Sequence, residues 1–189
     1  MSVGAMKFFG MAAAWAALVS ASAWAGGSGA PGCGRGWVFF DIGNTLIDTT
    51  NENHYRTLPQ AHEYLRALHD AGFHLGAISN VPESWGATQE AKLARLKLEI
   101  ASVWTESQPF EWNAFEAILL PPTNADRKPA PFLFKQAVGI AAGCRIAYEG
   151  DDAPEIQAAA ANGFDVSYLV GKTAPGEFYL PIDRIFNAP

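Results

Sequence analysis

Charge is scarce in this sequence. Asp, Glu, Lys and Arg make up 17% of its 189 residues, and the surplus is acidic, with a formal net charge of −6. No basic patch is left over to neutralise phosphates along a nucleic acid, which excludes that partner. Cysteine is scarcer still: Cys33 and Cys144 allow at most one bridge. The four histidines, His54, His62, His69 and His74, fall at no metal-ligand spacing. There is no internal repeat and no long low-complexity tract. What remains is a chain 49% hydrophobic, enough to bury the core of one α/β domain.

Residues 1–25 are of a different kind. Lys7 is their only charged side chain, an apolar run from Phe8 to Val19 follows it, and Ala23-Trp24-Ala25 offers a small-x-small cleavage pattern. This is the layout of a secretory signal peptide. The run is too short to span a bilayer comfortably, so no stable membrane insertion is expected after cleavage. An uncleaved N-terminal anchor, or a lipid anchor on Cys33, is the competing reading. Cleavage after Ala25 leaves a flexible mature N-terminus over 26–36, with the domain over 37–189. The mature protein is expected in the periplasm or secreted.

Beyond Gly36, strands and helices alternate. Trp37–Phe40, Phe73–Ile78, Ala117–Leu120, Arg145–Tyr148 and Val166–Val170 are short apolar runs of strand length. Between them, Ala61, Tyr64, Leu65 and Leu68 mark one face of a helix, with Pro59 at its first position and Gly72 past its end. Further helices are expected over Thr88–Leu98, from Pro131 to Ile140, and from Pro154 to Gly163. Alternation of this kind predicts a mostly parallel, doubly wound sheet with helices on both faces, three layers in all.

Three of the strands end in polar residues: Asp41 and Thr45 after the first, Ser79 and Asn80 after the second, and Asp151, Asp152 and Glu155 after the fourth. Open α/β sheets hold their ligands at these carboxyl ends. Two carboxylates on neighbouring strands can hold Mg²⁺, which takes one or two carboxylates, keeps waters and binds substrate phosphate. A hydroxyl and Lys128 can hold the remaining phosphoryl oxygens, leaving one carboxylate in line to attack phosphorus. Such groups position and neutralise, and phosphoryl transfer needs little else from a protein.

In these motifs the chain resembles the haloacid dehalogenase superfamily. Asp41-Ile42-Gly43-Asn44-Thr45-Leu46 is similar to that family's first motif, and Ser79-Asn80 to its second. Lys128-Pro129-Ala130-Pro131 with Phe134 is similar to its third, and Glu149-Gly150-Asp151-Asp152-Ala153-Pro154-Glu155-Ile156 to its fourth. The resemblance covers nearly all of the chain after residue 36. It implies that Asp41 forms an aspartyl-phosphate. It implies Mg²⁺ on Asp41, the Gly43 carbonyl and Asp151. Ser79, Asn80, Thr45 and Lys128 would bind the phosphoryl group, Lys128 also neutralising Asp41. Asp152 and Glu155 would stand behind them. The expected substrate is a phosphomonoester.

Two departures matter. The family's phosphatases usually carry an acid/base aspartate two residues after the nucleophile, where this chain has Gly43. General acid–base help is typically worth roughly 10²–10⁴ in rate. The chain is therefore a slow phosphatase, one suited to good leaving groups, or one that recruits Asp48, Glu52 or His54. The alternative is a metal- or phosphate-binding module that has lost turnover. There is also no room for a sizeable cap domain, so the site should be open. A receiver-type phospho-switch would need an acidic pair at the first strand, which Phe39-Phe40-Asp41 does not supply. Nothing favours dehalogenation.

The resemblance also bears on the cysteines. In the family the first and fourth strands are neighbours. Cys33 lies eight residues before Asp41 and Cys144 seven before Asp151, so both should reach the same bottom edge and form a disulfide after export. Trp104, Phe110, Trp112 and Phe115 are read as core, or else as an aromatic wall beside the open site.

Overall fold

Trp37-Val38-Phe39-Phe40 is buried on both sides because it forms the centre of the sheet. In the computed structural model, which describes residues 32–172 and 177–186, this run is strand β1 (Trp37–Phe40). The expected leader over 1–25, and residues 26–31 of the expected mature N-terminus, lie outside the described residues. Strands β4 (His74–Ile78), β5 (Ala117–Leu119), β6 (Ile146–Gly150) and β7 (Val166–Leu169) complete a five-stranded sheet in the order β5-β4-β1-β6-β7. Every pairing in it is parallel. Strands β2 (Ile47–Asp48) and β3 (Arg56–Thr57) form a separate small antiparallel pair directly after the Asp41 loop.

Alternation along β1 splits the core in two, as side chains on a strand point to opposite faces. Val38 and Phe40 pack with Leu65 and Leu68 of helix α1 (Ala61–Asp70) and with Leu96 and Ile100 of α2 (Gln89–Ser102). Phe39 packs on the other side with Leu133, Phe134 and Ala137 of α3 (Pro131–Ala141) and Ala159 of α4 (Ala153–Ala161). The architecture is the expected three-layer α/β sandwich, and among the described residues no cap domain accompanies it. Gly76 sits opposite Phe39 in the register, and a Cβ there would run into the Phe39 ring.

Local chemistry sets the boundaries. Thr88 caps α2, its hydroxyl accepting from Ala91 N at 3.2 Å. Pro59, expected at the first helical position, stands outside α1 instead. Gln60 precedes the helix in a left-handed conformation (φ 70°), which turns the chain before Ala61. The fourth strand runs on through Glu149 and Gly150, since Glu149 pairs in register with Phe40 and Tyr168. Cys33 and Cys144 are bonded, with 5.4 Å between their Cα atoms. Past β7, Phe178, Tyr179, Leu180 and Ile185 pack back on the α1 side of the core. No helix among the described residues is long and apolar enough to cross a membrane.

Candidate active site

Strand register brings the site together. Phe40 lies opposite both Ala77 and Glu149. Asp41 therefore leaves β1 level with Ile78 and Gly150, one residue short of Ser79 beyond β4 and Asp151 beyond β6. All three emerge at the carboxyl edge of the sheet, where parallel sheets bind ligands.

Lys128 reaches this edge from the loop before α3. Its Nζ lies 2.8 Å from Asp41 Oδ1, 2.8 Å from Glu155 Oε2 and 2.9 Å from the Tyr148 hydroxyl. An ammonium has three protons, and these three contacts engage all of them. The Lys128 side chain is fully buried, whereas Asp41 keeps 15% of its side chain open to solvent. Asp41 Oδ1 also accepts from Ile42 N at 2.7 Å. Its carboxylate is thus held on one side and accessible on the other.

Asn80 fixes the loop that carries the lysine. Its Oδ1 accepts from Lys128 N at 2.7 Å, and its Nδ2 donates to Lys128 O at 3.0 Å and Glu155 Oε1 at 3.3 Å. The amide is engaged with protein groups, so Asn80 positions the loop that carries Lys128. Tyr148 was not singled out in the sequence. It is a buried phenol in an otherwise apolar strand, and its hydroxyl donates to Glu155 Oε2 at 2.9 Å. Burial, then the negative charges of Asp41 and Glu155, push the Tyr148 hydroxyl well above its ordinary value, so it remains a donor. Burial also raises Glu155, with Lys128 opposing.

Asp151 is raised by burial and, after that, by the negative charge of Asp41. Two carboxylates repelling each other across neighbouring strands suit a cation between them. Gly43 pairs with Ile47 only through its flanking residues, and its carbonyl accepts no backbone hydrogen bond among the described residues. Two carboxylates and one carbonyl form a set that Mg²⁺ accepts. No larger cluster of acidic, histidine or cysteine side chains that could hold a metal occurs among the described residues.

Other expected residues fall differently. Ser79 lines the cavity at the carboxyl edge together with Gly43 and Asn80. Thr45 is fully buried, and its hydroxyl has no hydrogen-bond partner. Its carbonyl accepts from the Tyr179 hydroxyl at 2.7 Å. Asp152 precedes α4 as an exposed residue with no side-chain cap, so it does not join the cluster. Of the three carboxyl or imidazole groups that could replace an acid at Gly43, only Glu52 lines the cavity with it. Asp48 is occupied by Thr50 and Arg56, and the Thr50 hydrogen bonds hold it below the usual carboxylate range. His54 does not line the cavity. Trp112 and Phe110 border a separate open groove near His62, which shares no residue with the Asp41 cluster. Phe110 and Phe115 are buried, so these aromatics serve packing.

No protein-family model matches the chain, and no curated protein matches it either. Solved structures do. L-2-haloacid dehalogenase from Xanthobacter autotrophicus aligns at 11% identity over 74% of this chain and 78% of that one, with a TM-score of 0.52. An uncharacterized protein from Listeria monocytogenes serotype 4b aligns at 16% identity over 74% and 84%, with a TM-score of 0.50. D,D-heptose 1.7-bisphosphate phosphatase from B. bronchiseptica, complexed with magnesium and phosphate, aligns at 18% identity over 71% and 79%, with a TM-score of 0.49. What this chain shares with such structures is the fold.

Proposed function

We propose that this chain, which has the haloacid dehalogenase fold, is an exported Mg²⁺-dependent phosphatase that hydrolyses a phosphomonoester through Asp41. One observation carries the reading. A carboxylate at the end of the central strand, with 15% of its side chain open to solvent, is held by a fully buried lysine, with a second carboxylate on the adjacent strand tip.

Asp41, Asp151 and the Gly43 carbonyl are the groups suited to Mg²⁺, which when bound supplies positive charge to the phosphoryl oxygens. Lys128 neutralises the side of Asp41 that faces the protein. It also offers charge to the transferring group. The open oxygen of Asp41 attacks phosphorus while the ester P–O bond breaks. The alcohol departs as its alkoxide and takes a proton from water. Hydroxide then releases phosphate from the aspartyl-phosphate, which restores the carboxylate. Glu155, Tyr148 and Asn80 keep Lys128 in place through both steps. The disulfide supports export, since such bonds persist in oxidising compartments.

A second reading has its own observation: Gly43 stands where an acid is expected, and Asp48 is occupied elsewhere. That favours a slow or non-catalytic phosphate-binding module. Hydrolysis of an activated aryl phosphate separates the two. Metal-dependent release, removed by chelator and by Asp41→Asn, is the result expected of the phosphatase. A folded protein that binds Mg²⁺ but releases nothing above the Asp41→Asn background would leave the binding module.

A further inference from the structure

The cavity that begins at Gly43 and Ser79 extends away from Lys128 toward α2, and its volume is about 290 Å³. That is at the small end for a ligand site. Its floor is apolar, with Leu96 and Ile100 of α2. Its walls are two half-buried aromatics, Tyr55 and Trp85, and two carboxylates, Glu52 and Glu99. No lysine, arginine or histidine lines it. The walls are held in place. Tyr55 N donates to Val103 O at 2.8 Å and Thr105 N to Tyr55 O at 3.0 Å, which pins the β2–β3 flap to the end of α2.

We propose that this cavity is the leaving-group subsite, and that it takes the ammonium end of a small amino alcohol esterified to phosphate. The inference rests on the phosphatase reading above. Charge decides the class. A leaving group with a second phosphate or a carboxylate would meet two glutamates and no cation. An ammonium group meets two aromatic residues and two carboxylates, the kind of surroundings that recognise such cations. Glu99 already pairs with Arg95 along α2, whereas Glu52 has no ion pair or hydrogen bond among the described residues. Glu52 is therefore the carboxylate available to the ligand.

The missing acid points the same way. With glycine at position 43, nothing on that residue protonates the departing oxygen. An ammonium group two carbons from the oxygen withdraws electron density and makes the alkoxide a better leaving group. Such a substrate needs less proton assistance than a simple alkyl phosphate does.

The test compares choline phosphate with its uncharged carbon isostere, 3,3-dimethylbutyl phosphate, in Mg²⁺. Binding to the full-length Asp41→Asn protein is measured by calorimetry. The cationic ester is expected to bind roughly tenfold more tightly, and Glu52→Gln or Trp85→Leu in that background should bring the two within about twofold. Equal affinity, preference for the neutral ester, failure to bind either, or a preference that survives both substitutions overturns the subsite. A second readout needs no phosphate. In the wild-type protein, choline should shift the Trp85 indole resonance, and 3,3-dimethylbutanol should not. Aryl phosphate hydrolysis is followed in parallel. Turnover without charge discrimination overturns the subsite alone, whereas discrimination without turnover supports the subsite and overturns the phosphatase.

Discussion

Lys128 Nζ sits 2.8 Å from Asp41 Oδ1 inside the protein, with no part of the lysine side chain open to water. Removing the lysine therefore does two things. Lys128→Met should lower aryl phosphate hydrolysis by at least about 10²-fold, the scale of one preorganised charge at a reacting centre. It should also cost ~3–5 kcal/mol of stability, because Glu155 loses its buried counter-charge. Lys128→Met/Glu155→Gln should recover most of that stability and none of the activity. Denaturant titration and initial rates on the same preparations check both statements.

Tyr148→Phe isolates the hydroxyl that bridges Lys128 and Glu155. The ring remains to pack against Phe134 and Phe164. Loss of the hydrogen bonds should cost about 1–3 kcal/mol. Activity should fall several-fold through kcat with KM little changed, since the tyrosine holds the lysine and does not face the substrate.

Gly43→Asp should restore proton delivery. A Cβ at Gly43 meets nothing closer than Thr49 Oγ1 at 3.5 Å, which is ordinary contact. The gain should be roughly 10–10³-fold on alkyl phosphates with basic leaving groups. On an activated aryl phosphate, which needs no acid, it should be near unity. Rates across a leaving-group series read the difference as a change in slope.

Stability should fall as pH rises through the neutral range. Glu149 is fully buried, and burial pushes its carboxyl up to about 8, against the hydrogen bonds from Tyr64 and Leu180. A raised folded value means that the folded state holds this proton more tightly than the unfolded chain. The stabilisation is complete below the ordinary glutamate value of about 4.3, and it is lost by the time the pH passes about 8. Thermal melts with chelator present, from pH 4 to 9, should show that decline. Glu149→Gln should flatten it.

Reducing the Cys33–Cys144 bond releases a link across 111 residues. The expected cost is ~2–5 kcal/mol, because the unfolded chain regains the freedom that the loop had removed. Cys33→Ser/Cys144→Ser should show the same drop in denaturant midpoint and no sensitivity to reductant.

Much of this was legible in the sequence, and for physical reasons. Trp37–Phe40 is apolar without alternation because it is covered on both faces, so strand and parallel sheet could be read together. Asp41, Ser79 and Asp151 could be placed at one edge because each directly follows such a strand. The β2–β3 pair was not legible. Two-residue strands leave no periodicity, and their connection, Thr49-Thr50-Asn51-Glu52-Asn53-His54-Tyr55, reads only as loop. The hold of Asn80 on the Lys128 loop was not legible, because its partners, the Lys128 backbone and Glu155, lie 48 and 75 residues away. Tyr148 was missed for the same kind of reason. One phenol in a buried strand looks like core packing until the loop before α3 brings Lys128 to its hydroxyl.

The Tyr179 hydroxyl donates to the Thr45 carbonyl, 134 residues earlier in the chain. The turn that presents Asp41 is thus closed by a segment synthesised long after it. A nascent chain that has reached only residue 170 contains Asp41, Lys128 and Asp151, yet lacks the bond to the Thr45 carbonyl. Competence should arrive late and abruptly, when the segment around Tyr179 docks. Until then the assembled sheet holds a correctly ordered but unlatched site.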